Sequence, residues 1–362
     1  MWPNRRVIEL FDIAHPILLA PMAGAIDAEI AVEVAEVGGL ASIPCAMLTP
    51  EKLREQFEAF KTRTRKPLNV NFFCHVAPTP SNAREHAWRE QLKPYYQELG
   101  IDPAAPVPSS NRAPFDAAFC EVVEELKPEV VSFHFGLPED ALLRRVQQIG
   151  CRILSSATSV KEARWLEQKG VDAVIAQGFE AGGHRGHFLS DAVSDALFSQ
   201  AGTFALVPQI VDAVKVPVIA AGAISDARGI AAAFMLGASG VQIGSAYLHC
   251  PESKISGVHR AALARATDDG TTVTNLMTGR PARGLVNRLM REVGSINAIA
   301  PEFPLAAGAL APLRAKAEAQ GSGDFSPLWS GQAAALGHVL PARELTQQLA
   351  TRAQQLLDRR AD

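Results

Sequence analysis

No apolar run in this sequence approaches the ~18 residues that a membrane-spanning helix needs. The N-terminus, Met1-Trp-Pro-Asn-Arg-Arg6, is followed by neither a long apolar stretch nor a small-residue cleavage site. No membrane partner and no signal peptide are therefore expected, and the expected location is the cytoplasm. Cysteine is scarce. Cys45, Cys74, Cys120, Cys151 and Cys250 are odd in number and widely spaced, and none forms a CxxC pair. That pattern fits reduced thiols rather than a disulfide frame or a zinc site. Cys45, Cys74 and Cys151 fall in or beside apolar runs and read as small buried hydrophobes. An excess of basic charge is also missing: the net charge is −3, which gives no reason to expect nucleic acid as a partner. No GxSxG or Ser-His-Asp arrangement is present, and His184 and His187 have no carboxylate near them in sequence, so no metal site is expected.

What the chain does have is alternation. Its 362 residues, 48% hydrophobic and 20% charged, suit a globular protein of one large or two smaller domains. Apolar strand-like runs occur at 16–22, 40–45, 68–74, 130–136, 151–157, 173–176, 216–222 and 240–245. Helix-length segments lie between them, at about 28–37, 50–64, 139–149, 160–168, 204–213 and 227–236. Asp27 and Thr49 are expected N-caps, the latter followed by Pro50 at the first helical position, and Asp226 and Arg228 fall at a helix start. Eight such units in about 245 residues predict an α/β fold, a TIM (β/α)8 barrel. An open doubly wound sheet is the alternative, but its GxGxxG fingerprint after the first strand is absent.

One interval is longer than the rest. Between Cys74 and Val130 the pattern predicts a charged helix over 81–99, a proline-rich loop over 103–114 and a helix to about Leu126. An insertion of that length is usually functional or a cover. Beyond Tyr247 the alternation stops. A helix is expected at 257–266, a polar, turn-rich stretch at 271–291, a partly helical stretch at 298–319, a flexible joint at 321–324 and a terminal helix at 341–360. The expected division is a barrel of 1–248 and 323–362 with a smaller, mostly helical domain or lid at 249–322.

The chemistry collects where barrel strands end. The sixth strand runs into Gln177-Gly-Phe-Glu-Ala-Gly-Gly-His-Arg-Gly186, whose glycines let the backbone bend tightly and approach a flat ligand. An imidazole on such a turn, at the C-terminal face of a barrel, suits a general base, although a structural histidine would fit the same pattern. The first strand ends in Ala20-Pro-Met-Ala-Gly24. The third gives Asn69 and Asn71 on one face, and the fourth gives His134 and Gly136. Small residues follow the seventh and eighth strands: Ala221-Gly222-Ala223 and Gln242-Ile-Gly244-Ser245. Backbone N–H groups at those two turns are the usual phosphate-binding device of a barrel, though two tight turns without a ligand would look the same. Amides from Asn71 and Gln177 beside a phosphate site fit flavin mononucleotide (FMN), whose ring edge needs donors and acceptors.

Several stretches together resemble the class I nitronate monooxygenases, also called 2-nitropropane dioxygenases. They are Ala20-Pro-Met22, Asn69-Val-Asn-Phe-Phe-Cys-His75, Val131-Ser-Phe-His-Phe-Gly-Leu-Pro138, Ala176 to Gly186, Met277-Thr-Gly-Arg-Pro-Ala-Arg-Gly284 and Leu328-Trp-Ser-Gly-Gln332. The resemblance covers nearly the whole chain. It implies a TIM barrel that binds FMN and oxidises alkyl nitronates with O2 to a carbonyl compound and nitrite, the flavin taking electrons from the nitronate and passing them to O2. It implies His184 as the base that deprotonates a neutral nitroalkane. Asn71, Gln177, Gly178, Gly222, Gly244 and Ser245 match positions around the flavin, and Met22 would pack against the ring. Ala20, Pro21, Gly183, Ala223 and Gln242 complete the expected cofactor set. His134, Phe303 and Ala307 are the expected substrate-pocket residues.

The sequence also departs from the family. Where members often carry a tyrosine, a second tyrosine and a lysine, this chain has Phe303, Ala307 and Ala311, and a usual Gly-Gly is Gly222-Ala223. These changes predict a more apolar substrate pocket. The competing readings are an FMN-dependent NAD(P)H reductase of the enoyl-thioester or quinone type, and a non-catalytic FMN-binding barrel. Against the reductase, Phe133-His-Phe-Gly-Leu-Pro138 and the insertion after the third strand look like the oxygen-using class.

Overall fold

The computed structural model describes residues 1–108, 112–190, 193–198 and 200–358. Residues 109–111 of the expected proline-rich loop and 359–360 of the expected terminal helix lie outside the described residues. Eight strands run parallel: β1 (Ile17–Leu19), β2 (Ala41–Pro44), β3 (Leu68–Phe73), β4 (Val130–His134), β5 (Arg152–Ala157), β6 (Ala173–Gln177) and, after a two-residue strand β7 (Gly183–His184), β8 (Val218–Ala221) and β9 (Gly240–Ile243). Their order is β1-β9-β8-β6-β5-β4-β3-β2. The two ends of that order meet: Leu18 bridges Leu40 in parallel, the Leu19 amide donates to the Leu40 carbonyl at 3.0 Å, and the Leu40 amide donates to the Ile17 carbonyl at 2.9 Å. The sheet closes on itself as a barrel, so the open doubly wound alternative falls.

Strand residues alternate between the two faces of the sheet. Leu18, Val130, Leu154, Ala173, Ile175 and Ile219 form one buried cluster with Val7, Phe11 and Ile13, so the helix Arg6–Phe11 plugs the interior from the N-terminal end. The intervening residues, such as Ile17, Leu19, Val70, Val131 and Val174, pack under the surrounding helices. This two-sided burial is why the strands read as continuous apolar runs. Register carries the inner face upward into a polar layer: Asn69 pairs with Val130, and Asn71 with Ser132. Asn69 Nδ2 donates to Ser42 Oγ at 3.0 Å, and Asn71 Nδ2 donates to Ser132 Oγ at 2.9 Å. The barrel is therefore filled with hydrocarbon below and with hydrogen-bonding groups near its C-terminal mouth.

Local signals start the helices where they were expected. Asp27 accepts from the Glu29 amide at 3.0 Å, Thr49 from the Lys52 amide at 3.3 Å, and Asp226 from the Arg228 amide at 2.8 Å. Each such cap contributes about 1 kcal/mol. The five thiols are all free; Cys45 is buried, whereas Cys74 and Cys151 are only partly so. Among the described residues no helix is long and apolar enough to cross a membrane.

A second core forms over the mouth. Trp88, Leu92 and Tyr96 of the helix Asn82–Glu98 pack with Leu276, Met290, Leu310, Leu313 and Phe325. Trp88 Nε1 donates to the Ala306 carbonyl at 3.2 Å, and Arg288 pairs with Glu98 at 2.6 Å. The insertion after β3 is thus fastened to the C-terminal third of the chain. The stretch 271–291, expected to be turn-rich, instead contains β10 (Thr271–Thr274) and β11 (Ala282–Leu285). They form a small antiparallel sheet with β7, in which Ala282 pairs with His184 and Arg283 with Gly183. Polar side chains and short length hid these strands from a hydrophobicity reading, and only the pairing of β11 with β7 is long-range.

Arg185 fixes the junction. It is fully buried, and its guanidinium donates to the carbonyls of Gln177 (2.9 Å) and Gly178 and to Gln200 Oε1 (2.7 Å). Burial pushes its pKa down to about 9, with Arg283 adding to the shift. Removing such a group takes a donor from the Gln177 carbonyl, from Gln200 and from the Gly178 carbonyl, which keeps the Ala181 amide. Arg185→Met is expected to lower the unfolding free energy by about 3 kcal/mol. Urea unfolding checks this, and an unchanged midpoint would show that the clamp contributes nothing.

Candidate active site

A cavity of about 420 Å³ opens at the C-terminal ends of the barrel strands. That lies within the ~300–1,000 Å³ usual for small-molecule sites. Ala20, Pro21 and Met22 border it after β1, Asn71 and Phe73 on β3, and His134 on β4. Gln177 borders it at the end of β6, with Gly182, Gly183 and His184 on the turn beyond. Gly222 and Ala223 follow β8, and Gln242, Gly244 and Ser245 belong to β9 and the turn after it. Three expected residues do not border it. A Cβ at Gly178 would overlap Thr203, so this glycine serves the close approach of the helix Thr203–Val211. Ala307 lies in the first turn of the helix Ala306–Ala319. Phe303 stands behind His184, its ring centroid 5.1 Å away.

The glycine turn is locked by two other loops. A Cβ on Gly182 would meet the Gly331 nitrogen at 2.5 Å, so the two backbones are in contact. The Gly331 amide in turn donates to Ser245 Oγ at 2.8 Å. Gly222 has φ +114°, a conformation that favours glycine. Ala223 beside it has φ +57°, a left-handed conformation that costs a residue with a Cβ roughly 1–2 kcal/mol. Gln177 holds the turn internally: its Nε2 donates to the His184 carbonyl at 2.9 Å, and its Oε1 accepts from the Gly186 amide at 2.8 Å. One further hydrogen on Nε2 remains for the cavity.

His184 sits in an aromatic enclosure. Its ring centroid lies 6.0 Å from that of Phe73, 5.9 Å from Phe135 and 5.4 Å from Trp329. Its Nε2 lies 2.9 Å from Thr278 Oγ1, which orients the ring. Burial is the first cause that holds its pKa well below the ordinary range, followed by the charge of Arg112. His134 is anchored by Ser156 Oγ at 2.6 Å from Nδ1 and the His184 carbonyl at 3.2 Å from Nε2. Aromatic rings and the Thr278 hydroxyl thus surround the His184 ring. The same cavity is also bordered by Arg112, Lys254, His259, Arg314 and Glu318, which sequence reasoning did not bring to the site.

Two buried polar atoms on the cavity wall, Ser330 Oγ and His259 Nε2, have no hydrogen-bond partner among the described residues. Buried polar groups are rarely left so, and their position suits a cavity that receives a polar ligand. No signal in the sequence marked His259, and Thr278 was visible only as part of the Met277–Gly284 motif, without a role. Trp329 and Ser330 were visible as part of a motif without a placement.

Several histidines here are held neutral by burial. His75 and His259 are pushed down to about 4, and His134 and His187 to about 3. Their folded pKa values lie below the unfolded value near 6.5, so as pH falls the unfolded chain takes up protons first. Stability is therefore unaffected by them above about pH 6.5 and is lost as pH falls toward 4, by up to about 2 kcal/mol apiece at pH 5. The urea midpoint should drop clearly between pH 7.5 and pH 5; equal midpoints would contradict this electrostatic picture.

Comparison with known proteins agrees with this geometry. The sequence profile of the nitronate monooxygenase family matches residues 4–352. The chain is 40% identical to the nitronate monooxygenase of Pseudomonas aeruginosa, over 95% of this chain and 97% of that protein. It is 40% identical to the one from Paraburkholderia phytofirmans, over 96% of this chain and 94% of that protein. Among solved structures, nitroalkane oxidase from Streptomyces ansochromogenes superimposes with a TM-score of 0.88 at 33% identity, over 99% of this chain and 100% of that one. FabK from Thermotoga maritima superimposes with a TM-score of 0.75 at 28% identity, over 100% of this chain and 99% of that one. With the fold, the strand-end turns and the relatives in agreement, this chain belongs to the nitronate monooxygenase family, a family of flavoenzymes.

Proposed function

We propose that this enzyme uses FMN and O2 to oxidise alkyl nitronates to a carbonyl compound and nitrite. The observation that carries this reading is the placement of His184 on a rigid glycine turn, in the cavity that the turns after β8 and β9 also border. Gly222, Ala223, Gly244 and Ser245 would hold the phosphate. Ser245 Oγ spends a lone pair on the Gly331 amide and keeps its hydrogen for an anion. Asn71 and the remaining hydrogen of Gln177 Nε2 would meet the ring edge, with Met22 against its face. Bound FMN would supply the electron acceptor for the nitronate and the group that O2 reoxidises.

The chain's own residues then do three things. The aromatic wall of Phe73, Phe135 and Trp329 limits water beside His184. Because its pKa is depressed, His184 is a neutral imidazole at pH 7 and ready to accept a proton. We assign the proton transfer to Nδ1, with Nε2–H donating to Thr278 Oγ1. A neutral nitroalkane needs this step, and a preformed nitronate does not. The five free thiols support a reducing compartment, and the cytoplasm is the proposed location.

Oxygen uptake with nitrite release on adding ethyl nitronate to the purified flavoprotein tests the reaction. His184→Asn is expected to cut kcat/KM for nitroethane by ~100-fold or more, the usual contribution of a general base, and to leave ethyl nitronate within about tenfold. Equal losses on both substrates, or none on either, would remove His184 from the role of base.

A further inference from the structure

The backbone of His184 is held as closely as its ring. Its carbonyl meets two groups at barrel strand ends: Gln177 Nε2 donates to it at 2.9 Å from the end of β6, and His134 Nε2 lies 3.2 Å from it at the end of β4. A carbonyl oxygen only accepts, so the hydrogen of the second bond is carried by His134 Nε2. Burial holds the His134 ring neutral, its pKa pushed down to about 3. Its other nitrogen, Nδ1, therefore has a lone pair and no hydrogen. Ser156 Oγ on β5, 2.6 Å from Nδ1, is then the donor of that bond. The chain has one direction: the Ser156 hydroxyl donates to His134, and His134 donates to the His184 carbonyl.

The surroundings of this chain are tight. A Cβ on Gly186, two residues past His184, would stand 2.8 Å from His134 Cε1 and 2.7 Å from Ser156 Oγ. The His134 ring centroid is 4.5 Å from that of Phe135 and 5.7 Å from that of Phe73. His134 borders the cavity, as the sequence led us to expect, but each of its ring nitrogens has its one bond inside the protein. The ring therefore has no hydrogen-bonding group left for a substrate. At the other end of His184, the Thr278 hydroxyl meets Nε2 at 2.9 Å. His184 is thus tied through its carbonyl to the barrel and through its ring to the turn between β10 and β11. Such ties matter to a base, because misplacing a reacting group by ~1 Å can cost ~100-fold in rate.

We propose that His134 is a positioning residue for His184: Ser156 fixes its ring as the Nε2–H tautomer, and that N–H holds the His184 carbonyl so that the imidazole stays in place to take a proton from the substrate. The proposal rests on the reading of His184 as the base for its effect on rate, but not for the direction of the hydrogen bonds. His134 itself then neither takes a proton from the substrate nor binds its nitro oxygens.

Two measurements test this on the flavin-loaded enzyme. The first is nitrogen NMR of protein carrying isotope-labelled histidine, with the His134 resonances identified by their loss in His134→Gln. At pH 7 its Nε2 should give a protonated, pyrrole-type resonance and its Nδ1 an unprotonated, pyridine-type one; this readout needs no disruptive substitution. The second is steady-state kinetics with nitroethane, which needs the base, and ethyl nitronate, which does not. In His134→Leu, kcat/KM for nitroethane is expected to fall about tenfold or more, while that for ethyl nitronate stays within roughly threefold. His134→Gln keeps an amide N–H for the His184 carbonyl and cannot act as an acid or base, so it should recover most of the nitroethane loss. The reverse tautomer would overturn the proposal, as would a nitroethane kcat/KM within about twofold of wild type in His134→Leu. So would a His134→Gln variant as impaired as His134→Leu, or equal rises in KM for both substrates, which would make His134 a substrate contact. Wild-type enzyme that shows the expected resonances yet turns over neither substrate would sustain the anchoring of His184 and refute the functional reading instead.

Discussion

The C-terminal end of β6 is where the chain has to leave a closed barrel without leaving buried carbonyls unpaired. Arg185 answers that need from inside the turn. Its guanidinium takes the carbonyls of Gln177 and Gly178, while Gln177 spends its amide on His184 and Gly186. The turn is thereby fixed at both ends before any ligand arrives. β7 then pairs with β11, and Gly182 lies against Gly331, so the C-terminal segments dock on a turn that is already rigid. A site built this way is preorganised: the position of His184 follows from backbone hydrogen bonds rather than from a mobile loop.

The barrel's two-layer filling supports the same end. Hydrocarbon packs the lower interior around Leu18, Leu154 and Ile219, with the N-terminal helix as a plug. Above it, serine and asparagine side chains pair near the mouth, as Asn71 does with Ser132. Hydrogen-bonding capacity is therefore concentrated where a polar cofactor would enter, and the apolar layer beneath carries the stability. The neutral histidines are part of this arrangement. Burial keeps His75, His134 and His187 uncharged, so the positive charge around the proposed base is left to the arginines.

Much of this was legible in the sequence because it is local. Apolar runs with helices between them specify a parallel barrel, and Asp27, Thr49 and Asp226 mark their helices by short-range capping chemistry. The strand-end inventory of Asn71, His134, Gln177, His184, Gly222 and Ser245 could be read because strand ends of a barrel converge by construction. What could not be read depends on contacts between distant segments. Thr278 reaches His184 only because β11 pairs with β7, and Arg112 reaches the cavity only because the insertion packs on residues 276–325. Gly178 looked like a ligand-facing glycine, but its missing side chain makes room for Thr203. The apolar pocket was expected from Phe303, Ala307 and Ala311, yet none of the three borders the cavity, and the rings nearest His184 include Phe73, Phe135 and Trp329 from other segments.

The central claim is that this cavity delivers electrons from a nitronate to a flavin, rather than from a nicotinamide. Anaerobic stopped-flow mixing of the flavin-loaded enzyme with ethyl nitronate, and separately with NADH, tests it most directly through the visible absorbance of the flavin. The account predicts that ethyl nitronate bleaches the flavin on the timescale of turnover and that NADH leaves it oxidised. Rapid bleaching by NADH together with an unchanged spectrum in ethyl nitronate would contradict the account and assign the cavity to a reductase.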